Sequence, residues 1–175
     1  MKVIVVRHGT TDYNVSERLQ GVKDIPLNDV GRKDAIFLGE ALWEENIDII
    51  YTSPLVRAKE TSLLLHLPCP IYEEERLIER NLGTLEGLPI SCYNVEKYNS
   101  YQQKERIDQV ETLSEVYQRL DSFFQDLKKK SYQTVVLVSH GGVIKIIKDY
   151  FEGLPEDGLC KRKSIKNCEM IQFQL

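Results

Sequence analysis

The stretch KVIVVRHG, residues 2–9, carries four β-branched apolar residues, Val3 to Val6, straight into Arg7, His8 and Gly9. A short β-branched run bounded by polar residues reads as a buried strand. Its ending places an arginine and a histidine side by side, which is costly for two cations unless something anionic binds between them. The arrangement recurs far along the chain. TVVLVSHGG, residues 134–142, is a second apolar run, and it ends in Ser139, His140, Gly141 and Gly142. A third run, Ile49 to Tyr51, leads into Thr52-Ser53-Pro54, with Arg57 one turn inside the next helix. In parallel sheets, ligands bind beyond the carboxyl ends of the strands. Three strands that end in this way place two histidines and two arginines around one crevice.

Helices fill the intervals. Asn28 caps a helix over Asp29 to Glu45, with Ala35, Leu38 and Leu42 on its apolar face. Ser53-Pro54 reads as the N-cap and first residue of a helix that reaches about His66. Pro70 to Tyr72 supplies a short strand. Thr112-Leu-Ser-Glu115 is a capping box, and Leu113, Val116, Leu120, Phe123 and Leu127 keep helical spacing after it. Gly142 to Phe151 forms another helix, stopped at Gly153. Glu169 to Leu175 alternates weakly and reads as a last strand, antiparallel at an edge. Strands alternating with helices predict an α/β fold: a three-layer α/β/α sandwich around a mostly parallel sheet. At 175 residues the chain reads as a single domain, long enough to bury a core without disulfides or metal. Residues 82–104, with Gly83, Gly87, Pro89 and many polar side chains, predict loop and a short helix, and the segment of about 82–110 is expected to cover the crevice.

Composition narrows the function classes. A net charge of −4 and a pI near 5.5 leave no broad basic surface, so nucleic acid is not an expected partner. No stretch approaches the roughly 20 apolar residues of a membrane span, and Val3 to Val6 is too short for a signal peptide. The cytoplasm is the default location. Cys69, Cys92, Cys160 and Cys168 contain no C-x-x-C pair and read as free structural thiols, not a disulfide framework, a zinc site or a nucleophile. Lys128 to Lys130 suits a helix C-terminus, Lys161-Arg162-Lys163 a solvated turn, and His66 an exposed helix end.

Four blocks in order resemble the histidine phosphatase superfamily, the phosphoglycerate-mutase-like enzymes. They are Arg7-His8-Gly9 with Thr11 and Asn14; Ser53-Pro54-Leu55-x-Arg57-Ala58-x-x-Thr61; Leu77-x-Glu79-Arg80-x-x-Gly83-x-x-Glu86-Gly87; and Ser139-His140-Gly141-Gly142. The resemblance covers nearly the whole chain and implies a phosphoglycerate-mutase-like fold. It implies His8 as the nucleophile that takes up the phosphoryl group, with Arg7, Arg57 and His140 caging its oxygens. It implies Glu79 as the acid that protonates the leaving oxygen. Gly9, Thr11, Asn14, Gln20, Gly21 and Gly141 are the implied substrate-binding positions. No cofactor and no metal are expected. The chemistry of the residues agrees. Phosphoryl transfer is chiefly positioning plus fixed positive charge, which suits arginine's planar fork. His8 must be neutral to attack, and neighbouring guanidinium groups disfavour its protonated form.

Departures from the family's mutases point to the phosphatase branch. Mutases carry a lysine after the third block, where this chain has Ile90, and a later arginine pair that is missing from Cys92 to Val110. Thr10 replaces a common glutamate or glutamine. Val110-Glu111-Thr112 replaces a common Gly-Glu-Ser, which leaves a side-chain role for that segment open. The expected activity is a metal-independent phosphomonoesterase working through phosphohistidine on a small phosphate ester, such as α-ribazole phosphate or a sugar phosphate. The alternatives are a phosphoglycerate mutase and a catalytically silent domain that binds a phosphate ester or phosphoprotein. Oligomeric state is open.

Overall fold

The structure, a computed structural model, describes residues 1–175. Five strands, β1 (Lys2–Arg7), β2 (Ile49–Thr52), β3 (Ile71–Glu73), β4 (Thr134–Ser139) and β5 (Met170–Gln174), form one sheet in the order β3-β2-β4-β1-β5. The helices are α1 (Asp12–Val15), α2 (Asp29–Leu42), α3 (Val56–Leu64), α4 (Val95–Tyr98), α5 (Leu113–Leu127) and α6 (Gly141–Glu152). The first four strands run parallel, and β5 lies antiparallel to β1 at the edge, as its alternation predicts.

Strand alternation sorts the apolar residues into two layers. Val3, Val5, Ile49, Val135 and Leu137 face α5 and α6 and build the larger core with Val116, Leu120, Phe124 and Ile144. Ile4, Val6, Ile50, Val136 and Val138 face the opposite way, onto Leu38 and Leu42 of α2 and Ala58 of α3. Both faces of the sheet are covered, which gives the three-layer α/β/α sandwich. Because both faces are apolar, the central strands read as continuous hydrophobic runs.

Register decides where the polar strand ends arrive. Arg7 pairs with Ser139, so His8 and His140 leave the sheet side by side. The His8 amide donates to the Ser139 carbonyl (2.9 Å), and the Ser53 amide to that of Val138 (3.0 Å). The three strand ends are thus stitched together where they give out.

Local boundaries differ from expectation at one instructive place. Ser53 and Pro54 are neither N-cap nor first turn: α3 begins at Val56, after Leu55, without a side-chain cap from within. Asp24 supplies the acceptor instead, taking the Val56 amide at 2.7 Å. The Ser53 hydroxyl accepts the Leu55 amide (3.3 Å) and reaches the site described below. Helix α2 ends at Leu42 and α3 at Leu64, each shorter than predicted, whereas the capping box at Thr112 forms as read. Gly9 and Gly31 let α2 start directly behind β1. A Cβ on Gly9 would lie 2.6 Å from the Gly31 carbonyl oxygen, and one on Gly31 2.2 Å from that of Thr10.

Residues 82–110 hold three short 3-10 turns and α4, the loop-and-short-helix mixture expected. Tyr98 is buried in a small cluster with Leu19, Leu85 and Val110, and Tyr101 donates its hydroxyl to Asp149 of α6 (2.8 Å). Both tyrosines anchor the segment to the body of the molecule.

The larger core depends on Phe124, which is fully buried and stacks on Tyr150 with ring centroids 4.7 Å apart. Replacing Phe124 with alanine is expected to lower the unfolding free energy by about 3–5 kcal/mol, read as a shift of the urea midpoint at unchanged slope.

Candidate active site

His8 and His140 meet at the carboxyl end of the sheet with ring centroids 5.1 Å apart and planes inclined by 53°. Both are buried, at 2% and 0% exposure, and Arg57 beside them is at 0%. The hydrogen bonds assign the tautomers. His8 Nδ1 lies 2.7 Å from the Gly9 carbonyl oxygen, which can only accept, so Nδ1 carries the proton and Nε2 keeps its lone pair. Arg57 Nε donates to His140 Nδ1 (3.2 Å), so the His140 proton sits on Nε2, 2.6 Å from the Ser53 hydroxyl.

Burial is the first reason that the imidazoles stay neutral. It pushes both far below the usual histidine range, and the positive charges of Arg57 and Arg7 push His8 further the same way. Arg57 itself is brought down to about 10 by burial, still protonated at neutral pH. Its remaining nitrogens donate to the carbonyls of Lys23 (2.7 Å) and Gly21 (2.8 Å), which ties the loop before α2 to the site. Arg7 donates one terminal nitrogen to the Ile165 carbonyl (2.9 Å), and its Nε is buried with no partner. An unsatisfied buried guanidinium nitrogen beside a neutral imidazole is a place for an anion.

Glu79 comes from the segment after β3 and docks on the N-terminus of α6. Its carboxylate accepts from the amides of Arg80 (2.8 Å), Gly142 (3.1 Å) and Val143 (3.2 Å). A Cβ on Gly142 would sit 2.6 Å from a Glu79 oxygen, so this glycine makes room for an acid rather than for ligand. Arg80, buried next to it, donates to the Tyr93 hydroxyl (2.8 Å), Asn99 (3.1 Å) and the Tyr98 carbonyl (2.6 Å).

A cavity of about 260 Å³ opens over these groups, lined by Arg7, His8, Arg57 and Glu79 together with Asn14, Gln20, Gly21 and Gly141. The segment 82–110 closes its far side with Leu82, Ile90, Tyr93 and Asn99. Of the three tyrosines in that segment, only Tyr93 reaches the cavity. Three predicted residues lie behind the wall instead. The Gly9 amide is taken by Thr61 (2.9 Å), and its small size serves the packing of α2. Thr11 caps α1 and lies 3.1 Å from Gln20. His140 has both ring nitrogens engaged by protein groups. Lys161 pairs with Asp157, and Arg162 with Asp149 and Glu152; neither lines the cavity.

Sequence reasoning missed several contributors. Ser53 holds His140; it stood at a strand end and in the second family block, but was read as a helix cap. Asn167 donates to the carbonyls of His8 (2.9 Å) and Gly9 (3.2 Å) from a segment without a readable motif. Glu111, whose side chain was left open, pairs with Arg119 (3.0 Å) and takes the Asn81 amide (3.1 Å), which supports the chain just after Glu79.

This geometry defines a class: an α/β sandwich with a neutral histidine, buried guanidinium groups and a carboxylate lining one cavity. Residues 3–175 match the family described as "Histidine phosphatase superfamily (branch 1)". The chain is 37% identical over 147 residues to "Uncharacterized phosphatase PhoE" of Bacillus subtilis, covering 81% of this chain and 72% of that one. It is 33% identical over 150 residues to "Phosphoserine phosphatase 1" of Hydrogenobacter thermophilus, covering 80% and 71%. A solved phosphoserine phosphatase of Entamoeba histolytica, in complex with 3-phosphoglyceric acid, superposes with a TM-score of 0.84 at 28% identity, covering 99% and 90%. The chain belongs to the histidine phosphatase superfamily, and it is a phosphatase with a phosphoglycerate-mutase-like fold.

Two buried neutral histidines make stability depend on pH. Their folded pKa values lie below the unfolded one, so the unfolded chain binds more protons as pH falls below about 6.5. Stability is therefore present above that pH and declines below it, by at most about 1.4 kcal/mol per pH unit for each histidine. Denaturant titrations between pH 7 and 5 should show this slope, and His8→Asn should roughly halve it. A slope unchanged by the substitution would show that His8 is not the group responsible.

Proposed function

We propose that the protein hydrolyses a small phosphate monoester in two displacements at His8, without a metal. The observation that carries this reading is the His8 tautomer: Nδ1–H is held by the Gly9 carbonyl, so Nε2 presents its lone pair beside Arg7 and Arg57.

In the first step the P–Nε2 bond forms as the ester P–O bond breaks, and Glu79, protonated by the incoming ester monoanion, gives that proton to the departing alcohol oxygen. In the second, Glu79 takes a proton from water, which attacks phosphorus and releases inorganic phosphate and free His8. Splitting the hydrolysis in this way is covalent catalysis, and the fixed guanidinium charges stabilise the oxygens in flight. Arg7 offers its unpartnered Nε to one phosphoryl oxygen, and Arg57 offers the N–H groups that the protein does not use. His140, braced between Arg57 and Ser53, acts from behind by orienting Arg57, whose charge helps to keep His8 neutral. Its hydrogen bonds favour that role over direct contact with the phosphoryl group. Residues 82–110 serve as the cover that encloses the leaving alcohol.

Ile90 argues against a mutase. It lines the cavity at the place where the mutases carry a lysine, so the cover offers no cation there to retain a bisphosphorylated intermediate. The cavity's volume is below the range of about 300–1,000 Å³ typical of drug-sized ligands, which favours a small metabolite. Relatives named for phosphoserine support a small substrate of this kind.

Hydrolysis of p-nitrophenyl phosphate in excess chelator tests the reading. Wild type should turn over and yield an acid-labile phosphoenzyme, while His8→Ala should form none and stay folded. Label on that variant would place the nucleophile elsewhere, and binding without turnover by wild type would favour a silent domain. Net conversion of 3-phosphoglycerate to 2-phosphoglycerate without phosphate release would establish a mutase. Arg57→Lys keeps a charge but cannot reach His140, Gly21 and Lys23 together. It is expected to lower kcat by about 10²–10³-fold, the size of losing one preorganised oxyanion donor.

A further inference from the structure

Away from the cavity, helix α2 leaves an outer face that the fold does not use. Gly31, Ala35, Leu38, Gly39 and Leu42 turn inward, and helical spacing puts Val30, Lys33, Phe37, Glu40 and Glu44 on the opposite stripe. Val30 is 57% exposed and Phe37 73%, and Ile36 beside the stripe is 41% exposed. Leu63 on the neighbouring α3 and Trp43 at the end of α2 are exposed as well. Large apolar side chains exposed one at a time are ordinary, and several along one helix are a patch. Helices α5 and α6 leave no such side chain exposed.

The charges of that face are also unanswered within the chain. Arg32 is held by Asp29 and Glu60, and Glu45 by Lys2, whereas Lys33, Glu40 and Glu44 have no ionic partner. Their order along the helix is self-complementary. Laid antiparallel on a second copy, about a twofold axis between Ile36 and Phe37, the helix sets Lys33 of each copy against Glu40 of the other. Phe37 then falls near its own counterpart on one side of the stripe, and Ile36 near its own on the other. Glu44 comes opposite Asp29, whose charge Arg32 already balances. Two ion pairs flanking an apolar centre form the pattern of a twofold interface, apolar within and polar at the rim. The same charges disfavour an anionic lipid surface, since Glu40 and Glu44 outnumber Lys33.

We propose that this face joins two copies of the chain in a homodimer whose α2 helices pack antiparallel. A 14-residue helix presents a face about 21 Å long and about 10 Å wide, well short of the roughly 800 Å² per subunit of a standard interface. The dimer is therefore a weak one, with a dissociation constant in the micromolar range. Lys33, Phe37 and Glu40 all lie outside the cavity wall, so the contact is independent of the phosphatase reading above.

Sedimentation velocity of the full chain tests it. Wild type should pass from monomer towards dimer as its concentration rises from about 5 to about 500 µM. Phe37→Asp should weaken association at least about tenfold. Charge reversal gives the sharper result. Lys33→Glu makes both contacts acid against acid, and Glu40→Lys makes both base against base, so each variant alone should stay monomeric. Mixed in equal amounts, the two present opposite charges at both contacts and should dimerise together. All three positions are exposed, and an unchanged circular dichroism spectrum checks that each variant is folded. A wild type that remains monomeric at the highest concentration leaves the face to another kind of partner and overturns the proposal. A dimer that survives Phe37→Asp overturns it too, as do charge-reversed chains that associate no better together than apart.

Discussion

A fully buried guanidinium has to be given acceptors, and the rest of the site follows from how Arg57 gets them. Removing its charge from water is expensive, so its hydrogen-bond partners are a structural necessity and not an embellishment. Two are carbonyls of the loop at Gly21 and Lys23, and the third is His140 Nδ1. That single side chain fixes the loop before α2, sets the His140 tautomer and holds positive charge beside His8. The histidine next to an arginine at the end of β1 is thereby explained. Burial does most to keep the His8 imidazole neutral, and the charge that would be costly beside a protonated ring acts in the same direction.

Glu79 couples this cluster to the cover. Its oxygens replace the missing partners of the first α6 amides, an arrangement usually supplied by a capping side chain of the helix's own segment. Arg80, one residue on, reaches the other way into Tyr93, Asn99 and the Tyr98 carbonyl. The Glu79 carboxylate and segment 82–110 are therefore positioned by adjacent residues. Glu111 and Arg119 secure the strand of chain that carries them. A displacement of the cover would be felt at the carboxylate within two peptide units.

Legibility differed sharply between regions. The central strands and the long amphipathic helix α5 could be read because burial on both faces, or on one, leaves a periodic trace in the letters. The capping box at Thr112 could be read because its hydrogen bonds close within three residues. Ser53 was misread for the converse reason. Its sequence favours a cap, yet its hydroxyl faces His140, 87 residues away, and Asp24 takes over the capping. One glycine misled in a similar way. Gly9 was read as space for ligand, whereas its small size makes room for the start of α2.

What the sequence alone determined was the inventory and its periodicity: strands ending in histidine and arginine, the helices between them and the four ordered blocks. Those follow from local rules of burial, capping and backbone preference. Only the tertiary structure decided which ring nitrogens carry protons, that Arg7 Nε is left without a partner, and that Glu79 sits on α6. Each of these depends on register and long-range packing, since the groups involved lie far apart along the chain and no local pattern encodes which of them will touch.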